Sequence, residues 1–166
     1  MKKTIAGVLV LTALIAGCAG PPKFVEMKNQ FNPADYADYV KPGTNRVTGQ
    51  AFLRQQGGGT VTCGGARVLF LPATPYGRES TDILARGGMP NVANNKPTPE
   101  YHSVMRHSVC DAQGNFEFEK IPPGKYIVMS EVRWTVGNSS QGGFLKREVN
   151  VVDGSTNRIV LSDLDR

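Results

Sequence analysis

The chain has 166 residues, 19 basic and 14 acidic, with a formal net charge of +5. That length supplies one ordinary domain. The Lys and Arg residues are scattered, with no block of five or six, which excludes a basic nucleic-acid footprint. The 19 Gly and 11 Pro fall mostly between alternating apolar runs, the pattern of short strands and turns and not of a helical bundle.

Met1-Lys2-Lys3 is a basic start, and Ile5 to Ile15 is an apolar run. A membrane-spanning helix needs roughly 20 apolar residues. The run is therefore read as the core of a signal peptide over 1–17. Ile15-Ala16-Gly17-Cys18 resembles the bacterial lipobox. That resemblance implies a diacylglyceryl group on the Cys18 thiol, cleavage before Cys18, and acylation of the new amine, commonly by palmitate. Two or three acyl chains, at about 0.8 kcal/mol per buried methylene, hold a protein stably on a membrane. Ala19 and Gly20 follow, with no Asp. By resemblance to enteric sorting, this implies the outer membrane over the inner one.

Residues 18–44 form the lipidated N-terminus and a tether. They have no sustained period, and Pro21, Pro22, Pro33 and Pro42 interrupt them. A flexible chain of this length reaches on the order of 28 Å. Asn32 is placed to cap a short helix with Pro33 at its first position. Phe31, Tyr36, Tyr39 and Val40 then either pack on the domain or meet a partner.

The domain is predicted over 45–162, with a polar tail at 163–166. Arg46 to Leu53 alternates as a first strand. Gln55 to Gly59 is a connection, and Thr60-Val61-Thr62 a short extension of the pairing. Its GGGT lacks the Gly-Lys-Ser/Thr of a phosphate-binding loop. Ala66 to Leu71 is a second, largely apolar strand, and Tyr101 to Cys110 a third. Asp111-Ala-Gln-Gly114 suits a type I turn. Asn115 to Glu119 sets Phe116 and Phe118 against Glu117 and Glu119. Ile121-Pro-Pro-Gly124 turns the chain into a long strand, Lys125 to Val136, so that strands four and five read as a hairpin. Gly137 to Gly143 reads as a loop, Phe144 to Val152 as strand six and Thr156 to Leu161 as strand seven.

Between strands two and three lies the long insertion 73–100. Thr74-Pro75 is placed to cap a helix over Tyr76 to Ala85, and 86–99 reads as loop. An insertion of this size is either a contact surface or a flap covering one sheet. Tyr76, Arg78 and Arg86 within it, together with Trp134 at the end of strand five, make the candidate contact surface. Trp134 either packs in the core or serves as a sugar or partner platform.

Residue chemistry offers little else. His102 and His107 are five apart, so on a strand they point to opposite faces. Neither has a partner at ligand spacing, so neither a metal site nor a cofactor is predicted. No GxSxG elbow is present, no catalytic residue is assigned, and the protein is read as a non-enzyme. With Cys18 lipidated, Cys63 and Cys110 remain. In an oxidising compartment such a pair forms a disulfide, the alternative being two buried thiols.

Seven strands with regular turns suggest a Greek-key β-sandwich. Asp111-Ala-Gln-Gly-Asn-Phe-Glu-Phe and Ile121-Pro-Pro-Gly-Lys-Tyr-Ile-Val resemble the signature of the carboxypeptidase regulatory-like domain. That fold is similar to transthyretin and the collagen-adhesin B repeat. Val47-Thr-Gly-Gln-Ala-Phe and Gly65 to Pro72 look like its first strands. The resemblance implies an all-β, seven-stranded, transthyretin-like sandwich with the insertion as a departure from the minimal domain. It implies a binding or scaffolding module, since the family's peptidase zinc ligands lie in a separate domain. The expectation is a lipid-anchored envelope protein whose sandwich meets another envelope protein or a glycan. The alternative is a structural subunit of a larger envelope machine, as in the transthyretin-like lipoprotein of type VI secretion. A transthyretin-like hydrolase is disfavoured, because the ending Ser-Asp-Leu-Asp-Arg lacks the Tyr-Arg-Gly-Ser of that group.

Overall fold

The computed structural model describes residues 23–154 and 156–165. The predicted signal peptide and Cys18 lie outside the described residues. In chain order the elements are β1 (Phe24–Glu26), β2 (Asn45–Arg54), β3 (Thr60–Thr62), β4 (Arg67–Pro72), α1 (Pro75–Ala85) and β5 (Met89–Asn91). They continue with α2 (Pro99–Val104), β6 (Arg106–Val109), β7 (Asn115–Ile121), β8 (Gly124–Val136), β9 (Ser139–Val151) and β10 (Asn157–Leu161).

The protein is an all-β sandwich of two four-stranded sheets. In the first, β2 is central: β10 pairs along one edge in parallel, while β7 and then β3 share the other edge. The second has the order β6-β4-β8-β9, all antiparallel. Alternation drives this arrangement, since one face of each strand must leave water. Val47, Ala51 and Leu53 of β2 are buried, with Val68 and Phe70 of β4, Phe116 and Phe118 of β7, and Tyr126 and Val128 of β8. Phe70 stacks on Phe118 at 4.8 Å and on Tyr126 at 4.5 Å, so ring packing joins the two sheets. Gly49 leaves on β2 the space that the Phe116 ring fills. Asn45, buried among these, donates to the Ile121 carbonyl at 2.9 Å and to Asp153 Oδ1 at 2.8 Å. Its amide is thereby satisfied, as a buried polar group must be.

The predicted hairpin of strands four and five is corrected. The predicted β-turn is present, with Gly114 N donating to Asp111 O at 2.9 Å and Gly114 at a positive φ of 82°. However, β7 pairs with β2, while β8 pairs with β4 and β9. The Ile121–Gly124 turn therefore crosses from one sheet to the other. Both strands face the same core, so their burial pattern is the same either way. The third strand is also corrected. Its first half is α2, with Tyr101 and Val104 buried at helical spacing, and pairing starts only at Arg106.

The insertion covers the outer face of the second sheet. Its helix forms as predicted, with Thr74 Oγ1 accepting from Gly77 N at 3.0 Å. Leu71, Ala73 and Ile127 form an apolar seam on this side of the sheet. Above it lies a second cluster built from the insertion, the N-terminal segment and α2, including Met27, Tyr36, Tyr76, Ile83, Tyr101 and Val104. β1 pairs in parallel with β5. Glu79 on α1 accepts from Lys28 N at 2.8 Å, Asn29 N at 2.7 Å and Asn29 Nδ2 at 2.8 Å. Asn32 caps a short 3-10 turn, Pro33–Tyr36, as predicted. From Lys23 onward the predicted tether is thus part of the folded unit. Tyr36 is buried and Tyr39 packs on the core, whereas Val40 is exposed.

Candidate functional site

The predicted contact residues do not come together. Tyr76 is only 2 % exposed, so its place on a contact surface is corrected. Its ring meets those of Phe31 and Tyr101 edge-on at 5.4 and 5.7 Å. The reason is the helix period, which turns Tyr76, Ser80 and Ile83 inward together. Burial raises the Tyr76 phenol, and it pushes Tyr101 up to about 12. Burial likewise raises Tyr36, against the opposing effect of its 2.7 Å hydrogen bond with Thr74 Oγ1. Three phenols held neutral and the Phe31 ring, packed edge to face except for the stacked Phe31–Tyr36 pair, form a core. Arg78 is half-buried and forms a forked ion pair, its Nε and Nη2 donating to Glu148 at 2.6 and 3.0 Å. Arg86 is exposed just past the end of α1.

Trp134 lies elsewhere. In β8 it shares a face with Tyr126, Val128 and Val132, away from the flap. The α1–β9 contact at Asp82 and Lys146 is opposite Met129, five residues back, about 17 Å along the strand. Here β8 and β9 run on as a two-stranded arm beyond β4, whose pairing with β8 ends at Ser130. Trp134 is half-buried and packs partly against the main core. It lines a groove of about 560 Å³ with Arg54, Gln55, Gln56, Val136, Ser140 and Gln141. Gln141 is directly opposite Trp134 across the arm. The chain has a single Trp, and it lies among amide and hydroxyl groups that donate and accept hydrogen bonds and a guanidinium that donates them.

The lining residues Ser140 and Gln141 were hidden by the loop predicted over 137–143. Those residues are instead the turn and the first part of β9. Gly137-Asn138 is a dipeptide that makes two-residue hairpin turns, and it was the available signal.

The two histidines also depart from expectation. The chain changes from helix to strand at Met105, and this brings His102 and His107 onto one cleft of about 660 Å³ with Arg106, Glu117 and Glu119. Glu117 is held by Arg46 through two hydrogen bonds. That bonding keeps its carboxyl below its ordinary value. Among the described residues, no three His, Cys, Asp or Glu side chains are grouped to hold a metal ion. Cys63 and Cys110 are joined by a disulfide, their Cα atoms 5.7 Å apart. It links the turn before β4 to the turn before β7, next to the bonds Gly65 N to Cys110 O and Cys110 N to Ala66 O, both 3.0 Å.

No protein-family model matches the chain, and no curated protein does. Among solved structures, the fold is similar to that of a candidate carbohydrate-binding protein from Pseudomonas aeruginosa. The TM-score is 0.64 at 22 % identity, over 81 % of this chain and 98 % of that one. At that identity the likeness shows a shared fold. A chlorocatechol 1,2-dioxygenase from Pseudomonas putida also matches, at a TM-score of 0.26 and 14 % identity, over 89 % of this chain and 69 % of that one. So loose a superposition does not bear on fold or activity.

Proposed function

We propose that the protein is a lipid-anchored component of the bacterial cell envelope, held in the outer membrane, whose sandwich binds carbohydrate without catalysis. The observation that carries the reading is the groove around Trp134. A pyranose presents an apolar C–H face and a rim of hydroxyls. An indole beside amide side chains and an arginine complements both. The fold shared with a candidate carbohydrate-binding protein supports the reading. So does the resemblance of the Asp111–Val132 stretch to carboxypeptidase regulatory-like domains, which are binding modules. The lipobox ending in Cys18 supplies the anchor.

A glycan array probed with the full lipoprotein in detergent tests the binding. The expected result is retention on one class of oligosaccharide, lost in Trp134→Ala. Removal of an anchoring aromatic from a binding site costs about 2 kcal/mol or more, about thirtyfold in affinity. Retention on no glycan, or undiminished retention of the variant, overturns the reading. The anchor is tested separately: Cys18→Ser abolishes metabolic acyl labelling, and persistent label would sink it.

A further inference from the structure

Phe24 and Met89 are partners in the β1–β5 register. Phe24 is 64 % exposed and Met89 45 %. The alternate residue Val25 packs inward against the flap's cluster. The ribbon thus turns an apolar pair outward, on the side of the flap away from the sandwich. In sequence, the exposed Lys23 precedes Phe24 and the exposed Arg86 stands three residues before Met89, while the exposed Glu26 follows Phe24 by two residues on its strand face.

From this we infer that the β1–β5 ribbon docks on the bilayer, with Phe24 and Met89 entering the boundary between headgroups and acyl chains. The inference rests on the reading of Cys18 as the lipidated residue. The described chain starts at Lys23, and its carbonyl is already fixed by Met89 N at 2.9 Å. Five residue steps from Cys18 to Lys23 span at most about 18 Å. The leash is therefore short, and the ribbon is the part of the fold that it holds nearest the lipid. An aromatic and a methionine with cations near them in sequence suit that boundary, where rings sit at headgroup depth and Lys and Arg meet anionic lipid. Docking this way turns the flap to the membrane. It leaves the first sheet's outer face, and the face of β8 that carries Trp134, directed away from it.

The test uses the full lipoprotein reconstituted in vesicles of phosphatidylethanolamine with a minor share of phosphatidylglycerol. An environment-sensitive fluorophore is attached at Met89→Cys or, as a control on the far side of the sandwich, at Val160→Cys. Mass spectrometry records the acyl chains on Cys18, and thermal melts confirm that each variant is folded. The expected result is blue-shifted emission at 89, quenched by a bilayer-embedded quencher, with water-like emission at 160. Adding Phe24→Asp returns the 89 signal towards water. Water-like emission at 89 on a protein that carries its acyl chains overturns the docking and leaves the anchor standing. Absence of acyl chains overturns both. A blue shift at 89 without vesicles, growing with protein concentration, assigns the patch to a second copy of the chain and also overturns the docking.

Discussion

Replacing Cys63 and Cys110 together by alanine opens a loop closed across a sequence separation of 47. In the chain-entropy model, closing a loop of this length removes about 4 kcal/mol of freedom from the unfolded chain. The native geometry does not depend on the bond alone, because the Gly65–Cys110 and Cys110–Ala66 backbone bonds persist. Both residues are buried, at 1 % and 3 % exposure, so removing the sulfurs leaves two small voids, together about 1 kcal/mol. Residual structure in the unfolded state lowers the entropic part, which brings the expected loss to about 3–5 kcal/mol. For a domain of this size that lowers Tm by about 9–15 °C. Calorimetry and urea melts of the oxidised, reduced and double-alanine proteins separate the contributions. The reduced protein lacks the loop closure but has no voids. A double-alanine protein within about 1 kcal/mol of the oxidised one would refute the loop-closure reasoning.

The N-terminal segment depends on Glu79, which accepts three hydrogen bonds from Lys28 and Asn29. Glu79→Ala should raise amide exchange over 23–30 while β2, β4 and β8 stay protected, and unchanged exchange at Lys28 and Asn29 would contradict this. Burial raises the Glu79 carboxyl, but those hydrogen bonds outweigh it and hold the group below its ordinary value. Its contribution is therefore present above the unfolded pKa of about 4.3 and is lost as pH falls below it. The same exchange experiment in acid should loosen 23–30 before the sandwich. At the other extreme, burial raises Tyr36, Tyr76, Tyr101 and Tyr126, with Tyr101 at about 12. An unfolded Tyr ionises near pH 10. The folded protein keeps these protons longer, so stability holds below pH 10 and falls as pH rises from about 10 towards 12. Phenolate absorbance should appear together with loss of near-ultraviolet circular dichroism, and ionisation of these rings in a fully folded protein would count against the packing described.

Strands whose faces differ in polarity were legible. β2 and β7 alternate cleanly, and the core they predict is the core observed, whereas β8 is buried on both faces from Tyr126 to Ser130. Pairing was less legible, because alternation reports which face is buried and not which neighbour is bonded. The crossing at Ile121–Gly124 therefore looked like a hairpin. β1 and β5 are three residues each, too short for a period, and their partnership joins segments 65 residues apart. Short-range reading left the N-terminal segment as a tether for that reason. In α2, Pro99 and the buried spacing of Tyr101 and Val104 marked a helix, but the alternation through Cys110 read as one strand. Trp134 was legible as a strand end leaving the core. Its groove was not, because the residues opposite it belong to an arm whose turn, Gly137-Asn138, was absorbed into a loop.

The most direct test of the account is a fluorescence titration. Trp134 is the chain's only Trp, so the protein's own emission reports on the groove. Titration with an oligosaccharide retained by the protein should give a saturable change in that emission, with a midpoint that Gln141→Ala moves to higher concentration. Saturable binding by calorimetry with Trp134 emission unchanged would contradict the groove as the binding site.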